Sequence, residues 1–141
     1  MGQSAFITLA DGSAIETITL DEIRSHLLYY REQAALTGQQ LGWDYAESAF
    51  PYTIESKPEG EGLWFYLKGK TLAYRYILFG IGTELEEGTD VLKSHIQVVL
   101  PDDATHGDKA KANELCKFLA KRLSARLTLF NERIMYFNSR K

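Results

Sequence analysis

An apolar stripe runs unbroken through the C-terminal stretch of this chain. Ala112, Leu115, Cys116, Leu119, Leu123, Leu127, Phe130, Ile134 and Phe137 recur at steps of three or four, with Leu115 and Cys116 side by side. That repeat lines one face of an α-helix. No Gly or Pro falls between Asp108 and Phe137. The spacing predicts a helix over 108–137, about 45 Å long at about 1.5 Å per residue. Such a helix constrains everything else, because an equally long surface must cover its stripe. If it stays whole, Phe130, Ile134 and Phe137 overhang a small domain, and a second copy of the chain is the economical cover. If it breaks, Asn131 is the natural place, and Arg133 to Phe137 become an extra edge strand.

The 141 residues suit a single domain over 1–141. Apolar residues make up 45% and charged residues 25%, as in a soluble globular protein. The sequence holds no membrane-spanning apolar run. The start, Met1 to Phe6, has neither the basic region nor the apolar core of a signal peptide, and Phe6 stands where an acylation motif needs Ser or Thr. Cys116 is the only cysteine, so an internal disulfide is excluded and a cytoplasmic location is expected. Residues 107–141 carry nine Lys/Arg and three Asp/Glu, the rest seven and sixteen, so +6 faces −9. A basic helix lying on an acidic body explains this asymmetry, and a pI near 5.6 speaks against a dedicated nucleic-acid binder.

Ala5 to Leu9 reads as a first strand, and Ile15 to Ile18 as a further short extended piece. Thr19-Leu20-Asp21-Glu22 has the spacing of a capping box. Leu20, Ile23, Leu27, Tyr30 and Ala34 then form a buried helical stripe that Gly38 is expected to stop. Asp44 and Glu47 allow a short second helix ended by Pro51. From Tyr52 the pattern turns to β. The predicted strands are Tyr52 to Lys57, Leu63 to Leu67, Leu72 to Ile81 and Val91 to Leu100. Pro58 to Gly62 and a tight Gly69-Lys70 hairpin provide turns. Asp108 is expected to cap the last helix. The fold class is therefore α+β, with an antiparallel sheet of four or five strands. An N-terminal helix and a long C-terminal helix pack on one face.

This element order resembles the TATA-binding-protein-like and helix-grip group of folds, which wrap a curved antiparallel sheet around a long C-terminal helix. Members of that group bind apolar ligands, nucleic acid or partners. Trp43-Asp44-Tyr45, Ala49-Phe50-Pro51-Tyr52, Trp64-Phe65-Tyr66-Leu67-Lys68-Gly69 and Tyr74-Arg75-Tyr76-Ile77-Leu78 resemble a family of small uncharacterised proteins from Gram-positive spore-forming bacteria. The resemblance spans essentially the whole chain and implies no activity or site.

The residues offer little chemistry. His26, His95 and His106 lack the spacing of a zinc motif. Asp102, Asp103, His106 and Asp108 read as a solvated capping loop, so no metal and no cofactor are expected. Cys116 lies on the buried stripe, where a thiol is a small apolar residue. Gly80-Ile81-Gly82 is a strand feature rather than a phosphate loop, and Glu84, Glu86, Glu87 and Asp90 read as a solvated turn. The aromatic residues carry more. Alternation puts Tyr74, Tyr76 and Leu78 on one strand face, with Arg75, Ile77, Phe79 and Ile81 on the other. Trp64 and Tyr66 share a face. Both faces are thus apolar, more than a sheet with one wet face needs. Trp43, Tyr45, Trp64, Tyr66, Tyr74 and Tyr76, with Arg75 or His95 as polar handle, are the candidate partner- or ligand-binding residues. A well-filled core is the plainer explanation of the same residues.

The leading expectation is a non-catalytic, self-associating interaction module that uses the aromatic sheet face or the helix end at Phe130, Ile134 and Phe137. The alternative is a small apolar-ligand binder with a cavity between sheet and helix. An enzyme of unknown class comes third, because no acid–base pair, metal set or activated nucleophile can be read out. A second copy, an unknown protein or a small apolar ligand are the expected partners, without membrane or nucleic acid.

Overall fold

The computed structural model describes residues 3–9, 13–15, 17–41, 50–85, 88 and 92–137. Among these the order is β1 (Gln3–Thr8), α1 (Leu20–Leu41), β2 (Tyr52–Glu55), a 3-10 turn (Pro58–Gly60), β3 (Trp64–Gly69), β4 (Tyr76–Leu85), β5 (Leu92–Leu100), α2 (His106–Leu123), β6 (Arg126–Thr128) and β7 (Ile134–Tyr136). The expected short helix near 44–47 lies outside the described residues. The strands form one sheet in the order β2-β3-β4-β5-β1-β6-β7, and every neighbouring pair is antiparallel. The sheet is wider than the four or five strands expected, because the C-terminal stripe supplies two of its strands.

The helix stops well short of Phe137. Ser124 takes the left-handed conformation (φ 50°, ψ 52°), and its N–H caps the carbonyls of Ala120 and Lys121. The break therefore falls at Ser124, not Asn131. The sequence permits it because Ala125, Leu127 and Leu129 also alternate with a period of two, and all three are buried. In this stretch the strand period prevails: Ile7 pairs with Leu127, and Leu127 with Met135. The edge strand near the C-terminus is present as β7. The remaining helix of 18 residues is about 27 Å long. It lies over β4, β5, β1 and β6, within the seven strands of the sheet.

Local chemistry sets the other boundaries. Thr19 and Glu22 form the capping box of α1: the Glu22 N–H donates to Thr19 Oγ1 at 3.2 Å, and the Thr19 N–H to Glu22 Oε1 at 3.0 Å. Ile18 before the cap and Ile23 after it are both buried, the pattern of a hydrophobic staple. The helix runs through Gly38 to Leu41 rather than stopping there. The cap of α2 is Thr105, not Asp108. Asp108 is the third helical residue and completes a capping box with Thr105. The Gly69-Lys70 hairpin gives way to a longer connection over 70–75, and β4 starts at Tyr76 instead of Leu72. At Gly69 a Cβ would come within 1.9 Å of the Tyr74 carbonyl oxygen, so that close crossing requires glycine. Ile15 to Ile18 adds no strand among the described residues.

Both helices cover one face of the sheet. Phe65, Leu67, Ile77, Phe79, Ile96, Val98, Ala5, Ile7 and Leu127 point into that core, with Ile23 and Leu27 of α1 and Leu115, Cys116 and Leu119 of α2. The Arg24 guanidinium of α1 lies 4.8 Å from the Phe65 ring centre. Tyr30 of α1 meets Phe118 of α2 edge-on at 5.1 Å.

Candidate interaction face

The opposite face of the sheet has no helix over it among the described residues. Strand pairing fixes which residues point outward. One row across the sheet reads Trp64, Gly80, Gln97, Phe6, Thr128, Ile134. A second reads Glu55, Tyr66, Leu78, Val99, Ser4. Thr53, Lys68 and Tyr76 flank these on one side. Gly82, His95, Thr8, Arg126 and Tyr136 flank them on the other.

Aromatic rings gather over β3 and β4. Tyr66 lies 6.3 Å from Trp64 and 5.8 Å from Tyr76, in tilted contacts. The Lys57 ammonium sits 5.6 Å from the Tyr66 ring centre, a cation–π distance. A shallow groove of about 220 Å³ lies between Lys57, Trp64, Tyr66, Tyr76, Leu78 and Pro101. A neighbouring one of about 310 Å³ is floored by Gly80 and walled by Leu63, Trp64 and Gln97. Two glycines hold the larger rings down. A Cβ on Gly60 would come within 2.5 Å of the Trp64 indole, and one on Gly82 within 2.9 Å of His95 Nε2. His95 meets Phe6 edge-on at 5.4 Å, and its buried Nδ1 has no hydrogen-bond partner among the described residues.

The structure therefore brings together Trp64, Tyr66, Tyr76 and, two strands away, His95. Trp43 and Tyr45 lie outside the described residues. Tyr74 and Arg75 belong elsewhere, because both precede β4. Tyr74 packs against Tyr52 at 5.4 Å, and Gly107 sits beneath its ring. The Arg75 guanidinium pairs with Asp103 at 3.1 Å. The expected trio at the C-terminus divides as well. Phe130 and Phe137 pack against the core, while Ile134 stands on the outer face, 48% exposed.

Asp108 is a polar centre that the sequence did not reveal. Its carboxylate is fully buried. It accepts from the Tyr52 hydroxyl at 2.5 Å, from the Arg75 N–H at 3.0 Å to both oxygens, and from the Thr105 N–H at 3.1 Å. Burial, and then this hydrogen bond to Asp108, push the Tyr52 phenol well above its usual pKa. Three donors hold the carboxylate, so the arrangement ties α2 to β2 and to the segment just before β4. The Thr-x-x-Asp spacing of Thr105 and Asp108 was the available signal. Cys116 is buried and its thiol is pushed up to about 12 by burial, far from a reactive thiolate. Among the described residues, no group of three or more His, Cys, Asp or Glu is placed to hold a metal, and no helix is long and apolar enough to cross a membrane. A wider hollow of about 770 Å³ lies between the start of α1 and the β2–β3 turn. Its Arg24 is held by Asp21 at 2.6 Å.

Residues 3–139 match the family described as Domain of unknown function (DUF1885). The chain belongs to the DUF1885 family. A crystal structure titled as a protein of unknown function from Bacillus stearothermophilus is similar to it, with 37% identity and a TM-score of 0.59. That likeness covers 89% of this chain and 93% of the other. No curated protein matches. Membership in DUF1885 thus agrees with the resemblance to a small uncharacterised family and brings no activity with it.

Proposed function

We propose that this DUF1885 protein is a non-catalytic interaction module of the cytosol that self-associates through the outer face of its sheet. One observation carries the reading. The sheet covers one face with two helices, yet its other face carries Trp64, Tyr66, Tyr76, Leu78, Val99 and Phe6 in adjoining positions. An antiparallel sheet with a solvated face needs polar residues there. Contiguous apolar surface rimmed by charge marks an interaction site, and Lys57, Lys68, Glu55 and Arg126 stand on that rim. The cytosolic assignment rests on the lone, buried Cys116. An apolar ligand between sheet and helix finds less support, because Ala112, Leu115, Cys116 and Leu119 fill that layer.

Sedimentation of the wild type across a concentration series tests the proposal, with Tyr66→Lys as the outer-face variant. Leu28→Lys, at a half-exposed position on α1, is the control. The wild type and Leu28→Lys should both dimerise and Tyr66→Lys should stay monomeric with an unchanged circular dichroism spectrum. Equal association by all three would remove the outer face from the account.

A further inference from the structure

We infer that association through the outer face is switched by pH, with His95 as the switch: the face associates while the imidazole is neutral and releases when the ring takes up a proton. The inference rests on the interaction-module reading and adds its regulation.

His95 occupies a seat that suits only the neutral ring. It stands on the outer face of β5, between Gly82 of β4 and Thr8 of β1. A Cβ on Gly82 would come within 2.9 Å of His95 Nε2, so the ring lies low across bare backbone instead of standing up from the sheet. Phe6 meets it edge-on at 5.4 Å, and Phe6 belongs to the apolar row that also holds Trp64. Among the described residues, His95 Nδ1 is the buried side-chain polar atom that the fold leaves without a hydrogen-bond partner. A neutral imidazole tolerates this, because its proton sits on the other nitrogen. An imidazolium does not. Both nitrogens then donate, and a buried donor without an acceptor bears its full desolvation cost.

The protonated ring has two courses, and both oppose association. If it stays in its seat, association encloses a charge against an apolar surface. If it turns outward to water, it gives up Phe6 and stands on the surface that a second copy must approach. The surrounding charges do not compensate. On β5 the next outward position towards the N-terminus is Lys93, whose register partner on β4 is Glu84. Beyond the uncharged Phe6 and Thr8 of β1, Arg126 of β6 stands opposite Thr8. These are two cations and one carboxylate, so a proton on His95 adds to a positive excess. Histidine is the side chain that ordinarily changes charge between about pH 5 and 8. Because the associated form disfavours the proton, acid shifts the equilibrium towards monomer and base towards dimer.

Sedimentation of the full chain at pH 8 and pH 5.5 tests this, with circular dichroism confirming the same fold at both. The wild-type dissociation constant should rise on the order of tenfold or more at the lower pH, the scale of one uncompensated charge. His95→Gln and His95→Phe, neutral at both values, should associate alike at both. His26→Ala, on the helix side, should keep the wild-type dependence. A further readout needs no variant: proton uptake by the His95 ring, followed by NMR, should move to lower pH as the chain concentration rises. Wild-type association equal at both pH values, a His95→Gln dimer that weakens as the wild type does, or ring titration indifferent to concentration in a chain that dimerises overturns the switch and leaves the outer face as the interface. A wild type monomeric at both pH values overturns the switch and the function on which it rests.

Discussion

At the scale of single residues, Asp108 does the most for the fold. It joins the first turn of α2 to Tyr52 on β2 and to the backbone at Arg75 just before β4. Asp108→Ala leaves buried donors without acceptors and should cost about 3 kcal/mol in urea unfolding. Tyr52→Phe removes one donor, leaves the carboxylate with its backbone partners, and should cost less, about 1–2 kcal/mol. His26 offers a pH dependence. Its Nδ1 accepts from Arg122 Nε at 2.9 Å, and burial followed by the Arg122 charge lowers its pKa below the ordinary 6.5. The unfolded chain therefore takes up the proton first as pH falls. The stabilising contribution of neutral His26 is complete above about 6.5 and is lost as pH drops through the lowered folded value. The melting temperature should fall more between pH 7.5 and 5 in the wild type than in His26→Ala; equal slopes would remove His26 as the cause.

Elements were legible where one period ruled and misread where two did. Leu20, Ile23, Leu27 and Ala34 carry only the helical repeat, and α1 follows it. Between Leu123 and Phe137 the helical repeat coexists with the alternation of Ala125, Leu127 and Leu129, and only the pairing of β6 with β1 decides between them. No local signal announces Ser124 as a stop, because Ser is an uncommon occupant of the left-handed region. Ser124→Gly should therefore stabilise the chain by about 0.5–1 kcal/mol, and Ser124→Val, branched at Cβ, should destabilise it. The opposite order in chemical denaturation would mean that α2 does not end there. The β4 boundary was missed for a related reason: the Arg75 N–H goes to Asp108, a contact between residues far apart in sequence. The aromatic face itself was partly readable. Alternation placed Trp64 with Tyr66 and Tyr76 with Leu78, but it could not show that Tyr74 lies before the strand.

For the whole molecule, width is the governing quantity. The chain turns at Ser124 and adds β6 and β7 to the sheet, so the C-terminal apolar residues lie in it instead of projecting from a longer helix. Phe130 and Phe137 go to the core, and Ile134 and Tyr136 extend the outer face. Of the C-terminal trio expected to mediate association, only Ile134 stands on the outer face. NMR chemical shifts followed over a dilution series test this most directly. Amides of β3, β4, β5 and β1 should shift together on dilution, while those of α1 and α2 stay fixed. Shifts confined to the helices, with the sheet amides unmoved, would contradict the outer face as the site of association.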